Sequence, residues 1–259
     1  MFKYNKNSTI RISYHAFTLA EVLITLGIIG IVAAMTLPAV INNIKNKEHE
    51  ARFKTAYSQI FQAVQLMGNE DPQLWQTYCG KNSSSEVAQK RDKDFSFINK
   101  FSKQFQVLKV YPKNSSDLKN LGYKNSKFYG VEKGKNSFNY DGYNNGGFIT
   151  KNGMIILSSG CWWVNSLDFV VDTNGIKGPN KFGYDVFYFQ IDKKTNQLLP
   201  STITSSFGSL ASQEAGCCDF VSSSKCSIPS DNGSACSRFA IMDSFPGEEK
   251  SYWKNLPTP

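Results

Sequence analysis

The chain has 259 residues and a formal net charge of +8, from 29 basic and 21 acidic side chains. Its two histidines, His15 and His49, both lie within the first 49 residues, so the remainder has no imidazole base. This composition excludes Ser-His and Cys-His nucleophile pairs from that remainder, and the sequence has no glycine-rich phosphate-binding motif. We therefore expect a structural or binding protein rather than an enzyme.

A long apolar segment near the N-terminus contains a single charge. Glu21 is the only charged residue from Phe17 to Ile44, where Leu, Ile and Val dominate. From Phe17 to Val40 the segment covers the roughly 20 residues that a helix needs to cross the hydrocarbon layer. An ionisable side chain in a membrane helix is costly and marks a function or a charged partner. We therefore expect Glu21 to meet a positive group.

The residues before this segment indicate its orientation. Lys3, Lys6 and Arg11 form a basic leader without an acidic residue, which favours retention of the leader on the cytoplasmic side. The apolar segment should therefore cross the membrane once and place the rest of the chain outside the cytoplasm. Loss of this leader would lower the net charge from +8 to +5.

The residues from Ala16 to Glu21 give a small residue, then Phe-Thr-Leu-x-Glu, then an apolar helix. This pattern resembles the signature of the prepilin family, which comprises type IV pilins and type II secretion pseudopilins. The resemblance implies a leader of residues 1–16, cleavage between Ala16 and Phe17 by a membrane aspartyl peptidase, and N-methylation of Phe17. The pattern departs from the family in having Ala16 where Gly is usual.

The resemblance also implies a role for Glu21. Cleavage leaves an amine four residues before it, in the same apolar environment, where opposite charges attract more strongly than in water. In the family the partner is the amino terminus of a neighbouring subunit, so Glu21 would align one protomer with the next. An ordinary membrane anchor, in which Glu21 reaches the membrane surface, is the alternative.

The other implied partners are the prepilin peptidase, further pilin or pseudopilin subunits, an inner-membrane assembly platform and lipid. The implied location is the bacterial inner membrane, with the globular part periplasmic or extracellular, and then a filament. A type IV pilus and a secretion pseudopilus both fit the signature.

Three residues interrupt the regularity of the apolar helix. Gly27 and Gly30 weaken helix formation, and Pro38 removes one backbone hydrogen bond and favours a kink. The position of Pro38 resembles the place where pilin helices kink and partly melt. We therefore expect the helix to loosen between Gly27 and Pro38.

Charged residues appear after Pro38, while apolar residues continue at helical spacing. This pattern predicts one helix from about residue 18 to residue 67, with residues 17–44 in the membrane and residues 45–68 amphipathic. Turn-forming residues beyond Met67 predict its end. The apolar residues that carry the pattern are Phe53, Tyr57, Ile60, Val64 and Met67.

Residues 69–259 suffice for one globular domain. A second helix is predicted over residues 94–110, with Asp94 at its start and Ile98, Phe101, Phe105 and Leu108 on one face. Residues 113–147 lack periodicity and predict a long surface loop.

The pattern after residue 147 predicts strands. Residues 148–151 and 154–158 flank Asn152-Gly153, a strong signal for a tight hairpin turn, and residues 162–171 and 185–191 add two strands. Together with the long helix this predicts an α+β fold, in which the N-terminal spine helix packs on an antiparallel sheet of about four strands.

A candidate calcium site lies after the third predicted strand. Asp172, Asn174 and Asp185 surround a glycine-bearing turn, and closely spaced oxygen ligands suit calcium. The resemblance adds that some pseudopilins hold calcium in this part of the fold. The alternative is an Asx-rich turn in which these side chains cap their own backbone, with no cofactor at all.

Six cysteines follow the membrane segment, in the part predicted to face an oxidising compartment. Disulfides are expected, with the pairing open, since adjacent Cys217 and Cys218 are poorly placed to join each other. A zinc site is disfavoured because neither a Cys-x-x-Cys pair nor a histidine accompanies them. The cysteines are Cys79, Cys161, Cys217, Cys218, Cys226 and Cys236.

Two other functions fit parts of the sequence. Lysines at 124, 127, 133 and 135 alternate with aromatic residues, which suits a minor pilin that binds DNA or adheres to a surface. A secretory signal cut after Ala34 would instead release a soluble disulfide-rich binding protein that starts at Met35.

Overall fold

In the computed structural model, the residues described are 18–79, 96–112, 146–163, 166–200, 217 and 235–256. The chain divides into two compact units, Met1–Ile44 and Lys45–Pro259. The long helix α1, Leu19–Glu70, contributes to both units. Of the surface loop predicted over residues 113–147, residues 113–145 lie outside the described residues, as does the predicted helix start at Asp94; Gly147 belongs to a strand.

Within the first unit, α1 exposes its apolar side chains. Every leucine and isoleucine from Leu19 to Ile44 is exposed, and Pro38 lies inside the continuous helix. Among the described residues, α1 is the one helix whose length and composition suffice to cross a membrane. The predicted apolar helix is therefore confirmed as a helix with an unburied apolar surface.

The end of α1 differs slightly from the prediction. Gly68 and Asn69, expected to stop the helix, are helical, and α1 ends at Glu70. The stop comes at Asp71-Pro72, where Asp71 N–H still bonds to the Met67 carbonyl at 2.9 Å and the Asp71 carboxylate accepts the Gln73 N–H. Proline then prevents a further helical turn, because it has no N–H to donate.

In the described part of the chain, six antiparallel strands form one sheet in chain order, so each strand pairs with the next one along the sequence. The sheet has two strands more than predicted. The sequence did not predict the edge strands β1 and β6, because they are too short or too irregular to show a clear strand pattern. The strands are β1 Val107–Tyr111, β2 Gly147–Thr150, β3 Ile155–Trp163, β4 Ser166–Asp172, β5 Val186–Asp192 and β6 Leu198–Pro200. The α+β fold class is confirmed.

The strand predicted over residues 162–171 is wrong, because this stretch belongs to two strands. β3 continues to Trp163, and β4 begins at Ser166, with Trp163 and Ser166 paired across the two strands. Apolar residues lie on both sides of Asn165-Ser166, so the sequence carries only a weak sign that two strands meet here. The hairpin at Asn152-Gly153 is confirmed, since Thr150 N–H bonds to the Met154 carbonyl at 2.9 Å.

The helix predicted over residues 94–110 is also wrong in extent. The described helix α3 covers Ser96–Ser102, and the chain then turns and enters β1. The register of β1 against β2 shifts between Val107 and Lys109, which leaves Leu108 as a bulge that is 70% exposed. Ile98 and Phe101 are buried as expected, whereas Leu108 is not.

Part of the second unit's core forms where α1 lies against the sheet. Phe53 meets Phe187 of β5 at a ring centroid distance of 4.4 Å and meets Trp253 at 5.2 Å. Helix α2, Leu74–Cys79, buries Trp75 beside this core. The buried face of α1 consists of Asn46, Phe53, Ala56, Ile60, Ala63, Val64 and Met67.

The C-terminal segment completes this core. Helix α4, Cys236–Met242, joins β5 through Ser237, whose hydroxyl bonds to the backbone N–H and carbonyl of Tyr188. The indole N–H of Trp253 donates to the Ala240 carbonyl at 3.0 Å. The Asn46 amide on α1 donates to the Leu256 carbonyl at 3.3 Å. Residues near both ends of the second unit therefore meet.

Phe53→Ala should destabilise the second unit by about 3 to 5 kcal/mol, because it leaves a cavity among four aromatic rings. Phe61→Ala, on the same helix, should cost about 1 kcal/mol or less, because Phe61 is 42% exposed and Phe53 is 2% exposed. Urea titration of the full chain in detergent, followed by the fluorescence of the buried tryptophans, measures both changes. Equal losses for the two variants would contradict this account of the core.

Candidate functional site

The start of α1 carries a reciprocal pair of side chains. Glu21 Oε2 accepts hydrogen bonds from the Thr18 N–H at 2.8 Å and from the Thr18 hydroxyl at 2.9 Å. In return, the Thr18 hydroxyl oxygen accepts the Glu21 N–H at 3.2 Å. This arrangement is a capping box, in which the residue before the helix and the third helical residue satisfy backbone N–H groups that the first turn leaves unpaired.

The capping role of Thr18 is a feature that the sequence analysis missed. Its signal is present, since Thr18-Leu19-Ala20-Glu21 places a Thr three residues before a Glu at the start of an apolar run. The prepilin-like pattern predicted a role for Glu21 and none for Thr18. Ala16 and Phe17 lie outside the described residues, so the cleavage and methylation sites stay predictions.

Gly27 and Gly30 face open space in the first unit. A Cβ added at either glycine would meet no atom within 4 Å. Pro38 has no N–H, so the Ala34 carbonyl loses its helical partner, yet α1 continues without a break. The Thr36 hydroxyl bonds back to the Val32 carbonyl at 3.0 Å, a pattern that often bends helices. The loosening expected between Gly27 and Pro38 stays a prediction.

The structure brings the three predicted calcium ligands together at one end of the sheet. β4 ends at Asp172 and β5 begins directly after Asp185, and both side chains are buried. Asp172 Oδ1 accepts the Asn174 N–H at 3.1 Å, and the Asn174 side-chain amide donates to the Gly178 carbonyl at 3.0 Å. The Asp185 oxygens also accept the N–H groups of Asn180 at 2.8 Å and Lys181 at 2.7 Å.

In these bonds, Asx side chains of the loop accept hydrogen bonds from its own backbone. The loop nevertheless has oxygen atoms that could bind a cation, because Asn174 Oδ1 and Thr173 Oγ1 are buried without a hydrogen-bond partner. No three His, Cys, Asp or Glu side chains in the described part of the chain are grouped to hold a metal. A cation here would rely on two carboxylates together with amide, hydroxyl and backbone oxygens.

Burial controls the ionisation of Asp185. It raises the pKa of the Asp185 carboxyl to about 6 from the ordinary 3.8, against the lowering effect of the hydrogen bonds that the carboxyl accepts. Among the described ion pairs, none includes Asp185. The site therefore holds a buried carboxyl group that no ion pair of the described residues neutralises.

The cysteines fall into two groups. Cys217 and Cys236 form a disulfide with a Cα–Cα distance of 5.0 Å, and Cys79 is also disulfide-bonded. Disulfide formation is thus confirmed for these three cysteines. Cys218, Cys226 and the side chain of Cys161 lie outside the described residues. The lysine and aromatic residues of the DNA-binding alternative, at 123–140, lie outside them as well.

Residues 11–37 match the family model for the prokaryotic N-terminal methylation motif. The match contains Ala16, Phe17, Thr18 and Glu21, so the prediction of a prepilin-type motif is confirmed. Neither the curated proteins nor the solved structures compared with the chain gave a match. The motif and the long apolar helix together support a pilin-type or pseudopilin-type protein that is anchored in a membrane.

Asp185 should make the stability of the second unit depend on pH. Because its folded-state pKa lies above the unfolded value, the stabilisation from its protonated form is complete below pH 4 and is lost as pH rises through about 6. The change is on the order of 2 kcal/mol. Thermal unfolding of the full chain in detergent with a chelator, from pH 4 to pH 7, measures it.

Asp185→Asn should flatten this dependence, since the variant side chain stays neutral throughout the range. Asp192→Asn is the matched control, because the Asp192 carboxylate caps the exposed turn after β5. A pH dependence that is as steep in Asp185→Asn as in the original chain would refute the assignment.

Proposed function

We propose that this protein is a structural subunit of a type IV pilus-like filament or of a type II secretion pseudopilus. A prepilin peptidase cleaves it between Ala16 and Phe17, and it joins the filament through α1. The observation that carries the proposal is Glu21, the lone charge in the apolar part of α1, inside the matched methylation motif.

Cleavage supplies the charge that Glu21 needs. It converts the Phe17 amide nitrogen into an amine, and N-methylation keeps that amine able to carry a positive charge. The Glu21 carboxylate of one subunit then pairs with the Phe17 amine of its neighbour, in surroundings where water screens the attraction poorly. The uncut chain cannot offer this amine, so processing precedes assembly.

The exposed apolar surface of α1 gives the subunit two successive environments. Lipid covers the leucines and isoleucines from Leu19 to Ile44 before assembly, and neighbouring copies of α1 cover them in the filament. The open space at Gly27 and Gly30 suits a close approach of helices. Loosening near Pro38 would let the helix adapt as it leaves the bilayer.

The rest of the chain serves as the exposed domain of the subunit. It stands in the periplasm or outside the cell, anchored by one pass through the inner membrane, where an assembly platform extracts it. The disulfide between Cys217 and Cys236 suits such an oxidising compartment. The domain is a building block, and we assign it no catalytic residues.

N-terminal sequencing of the mature chain tests the processing step. The expected first residue is an N-methylated Phe17. A chain that starts at Met35 would show cleavage by a signal peptidase after Ala34 and would overturn the proposal in favour of a secreted soluble protein.

Glu21→Gln should leave cleavage intact and reduce incorporation into filaments at least tenfold, because the neighbour's amine loses its counter-charge. Glu48→Gln is the matched control, since Glu48 lies on the same helix but forms a surface ion pair with Arg52 at 2.8 Å. The sheared filament fraction, normalised to processed protein in the membrane, gives the readout. Incorporation of Glu21→Gln at the level of the control would refute the proposed role.

We also propose that the loop between β4 and β5 binds calcium through Asp172, Asn174 and Asp185. The buried carboxyl groups of Asp172 and Asp185, and two buried oxygens without a hydrogen-bond partner, support this proposal. Calcium would neutralise the carboxylates and fix the loop that joins these two strands. The backbone hydrogen bonds of Asp185 already hold one part of the loop in place.

Calcium should raise the midpoint of thermal unfolding at pH 7 by about 5 to 10 °C at about 100 times its Kd. Asp172→Ala should abolish this shift, whereas Asp192→Ala, in the next turn of the sheet, should preserve it. Magnesium should not replace calcium, because it demands a smaller and more regular site. An equal shift in both variants would place the calcium elsewhere.

A further inference from the structure

We propose that a cavity in the second unit binds a sugar that carries acetamido groups, that is, an N-acetylated hexosamine. The cavity has a volume of about 340 Å³, which lies in the range of small-molecule sites. It lies between α1, the turn before β1 and the hairpin that joins β2 to β3. The proposed function uses none of the described residues that line it, so this inference goes beyond that function.

One wall of the cavity is a face of α1. Gln59, Gln62 and Leu66 line it and follow one another at intervals of three and four residues, so they share one side of the helix. Leu66 is exposed although it is apolar, and it lies one helical turn beyond Gln62. This wall therefore offers hydrogen-bonding groups and an apolar surface to the same ligand.

The opposite wall is the turn between α3 and β1, which carries Phe105 and Gln106. Phe105 is half-buried, and its ring packs against Phe101 and Phe148 at centroid distances of 5.1 and 5.2 Å. The N–H of Lys151, in the hairpin, donates to the Gln106 carbonyl at 2.8 Å. This wall is thus held in place before a ligand arrives, which lowers the entropy lost on binding.

Three side-chain amides at the cavity are available to a ligand. They belong to Gln59 on α1 and to Gln104 and Gln106 in the turn. In the part of the chain that the structure describes, no residue hydrogen-bonds to any of these three side chains. The amide of Gln62 is partly used, since it donates to the Ser58 hydroxyl at 3.2 Å. Each amide has two donor hydrogens and an acceptor oxygen, so the cavity can pair with donors and acceptors alike.

The charge of the cavity favours a neutral ligand. Lys151 is the one charged residue among the described residues that line it. A nucleic acid needs several cations against its phosphates, and an extended peptide commonly pairs with the edge of a sheet, whereas a helix face and a turn form the walls here. The cavity therefore suits a compact molecule with hydroxyl and amide groups.

A sugar with acetamido groups matches both walls. The acetamido N–H and carbonyl pair with a glutamine amide, and the acetamido methyl group packs on Leu66. The hydroxyl groups of the sugar bond to the remaining amides. The C–H groups on one face of the sugar ring pack against Phe105, because the face of an aromatic ring is electron-rich and attracts their partial positive charge.

Saturation-transfer NMR of the full chain in detergent, titrated with triacetylchitotriose, measures this binding. The original chain should bind this trimer of N-acetylglucosamine with a Kd of about 1 mM or lower. Gln59→Ala and Phe105→Leu should each weaken binding at least about fivefold, because each removes one hydrogen bond or one stacking contact. Gln65→Ala is the matched control and should bind as the original chain does, since Gln65 lies on α1 but lines a different cavity.

The thermal unfolding midpoint of each variant shows whether its fold is kept. Gln59 is exposed, so Gln59→Ala should unfold at the temperature of the original chain even if Phe105→Leu is less stable. Cellotriose, which has hydroxyl groups in place of acetamido groups, should bind at least about fivefold more weakly than triacetylchitotriose.

Four outcomes would overturn the inference. They are the lack of saturable binding of triacetylchitotriose up to about 10 mM, equal affinity for cellotriose, unchanged binding in both cavity variants, and binding of tetraglycine in place of the sugar. The last outcome would identify a peptide site instead. None of these measurements requires processing or assembly, so the proposed function stands or falls separately.

Discussion

A carboxylate in an apolar helix needs hydrogen-bond donors, and the start of α1 supplies them from its own backbone and one hydroxyl. Thr18 contributes both donors to Glu21 Oε2 and takes the Glu21 N–H in return. This local arrangement satisfies a carboxylate at the start of an apolar helix within the first turn itself. Under the proposed function, the same side chain then recruits a neighbouring subunit.

The second half of α1 is constrained in a different way. Its buried face meets β5 and the C-terminal segment, with Phe53 between Phe187 and Trp253. One helix thus leaves its apolar side chains exposed over its first half and buries one face in a protein core over its second. The change in character after Pro38 reflects a change of surroundings rather than an end of the helix.

The sequence predicted the features that depend on local signals. The span of α1 followed from its apolar spacing, and the hairpin followed from Asn152-Gly153. Leu108 was misplaced because its spacing from Phe105 continued a helical period, whereas a bulge in β1 turns it to solvent. The edge strand β6 has three residues, which is too short for a period to be read. Strand number therefore depended on pairing that residue order alone does not reveal.

The residues of the candidate sites were likewise predicted where the sequence carries a local signal and not where the backbone conformation decides. Glu21 was predicted as a functional residue because it is the only charged residue from Phe17 to Ile44. Asp172 and Asp185 were grouped because a glycine-bearing turn lies between them. The contribution of Asn180, whose N–H holds Asp185, depends on a left-handed backbone at φ 52°, which composition does not indicate. Thr18 was not predicted as a capping residue, although its spacing from Glu21 is a known capping signal. The reason is that the same residues also form the prepilin signature.

The contact between Asn46 and Leu256 joins residues 210 positions apart. Trp253 packs beside Phe53 at a ring centroid distance of 5.2 Å, although the two residues are far apart in the chain. The core of the second unit therefore cannot close on α1 alone and needs the segment that carries Trp253. Without that segment the side chain of Phe53, which is 2% exposed in the folded unit, would stay open to solvent on one side.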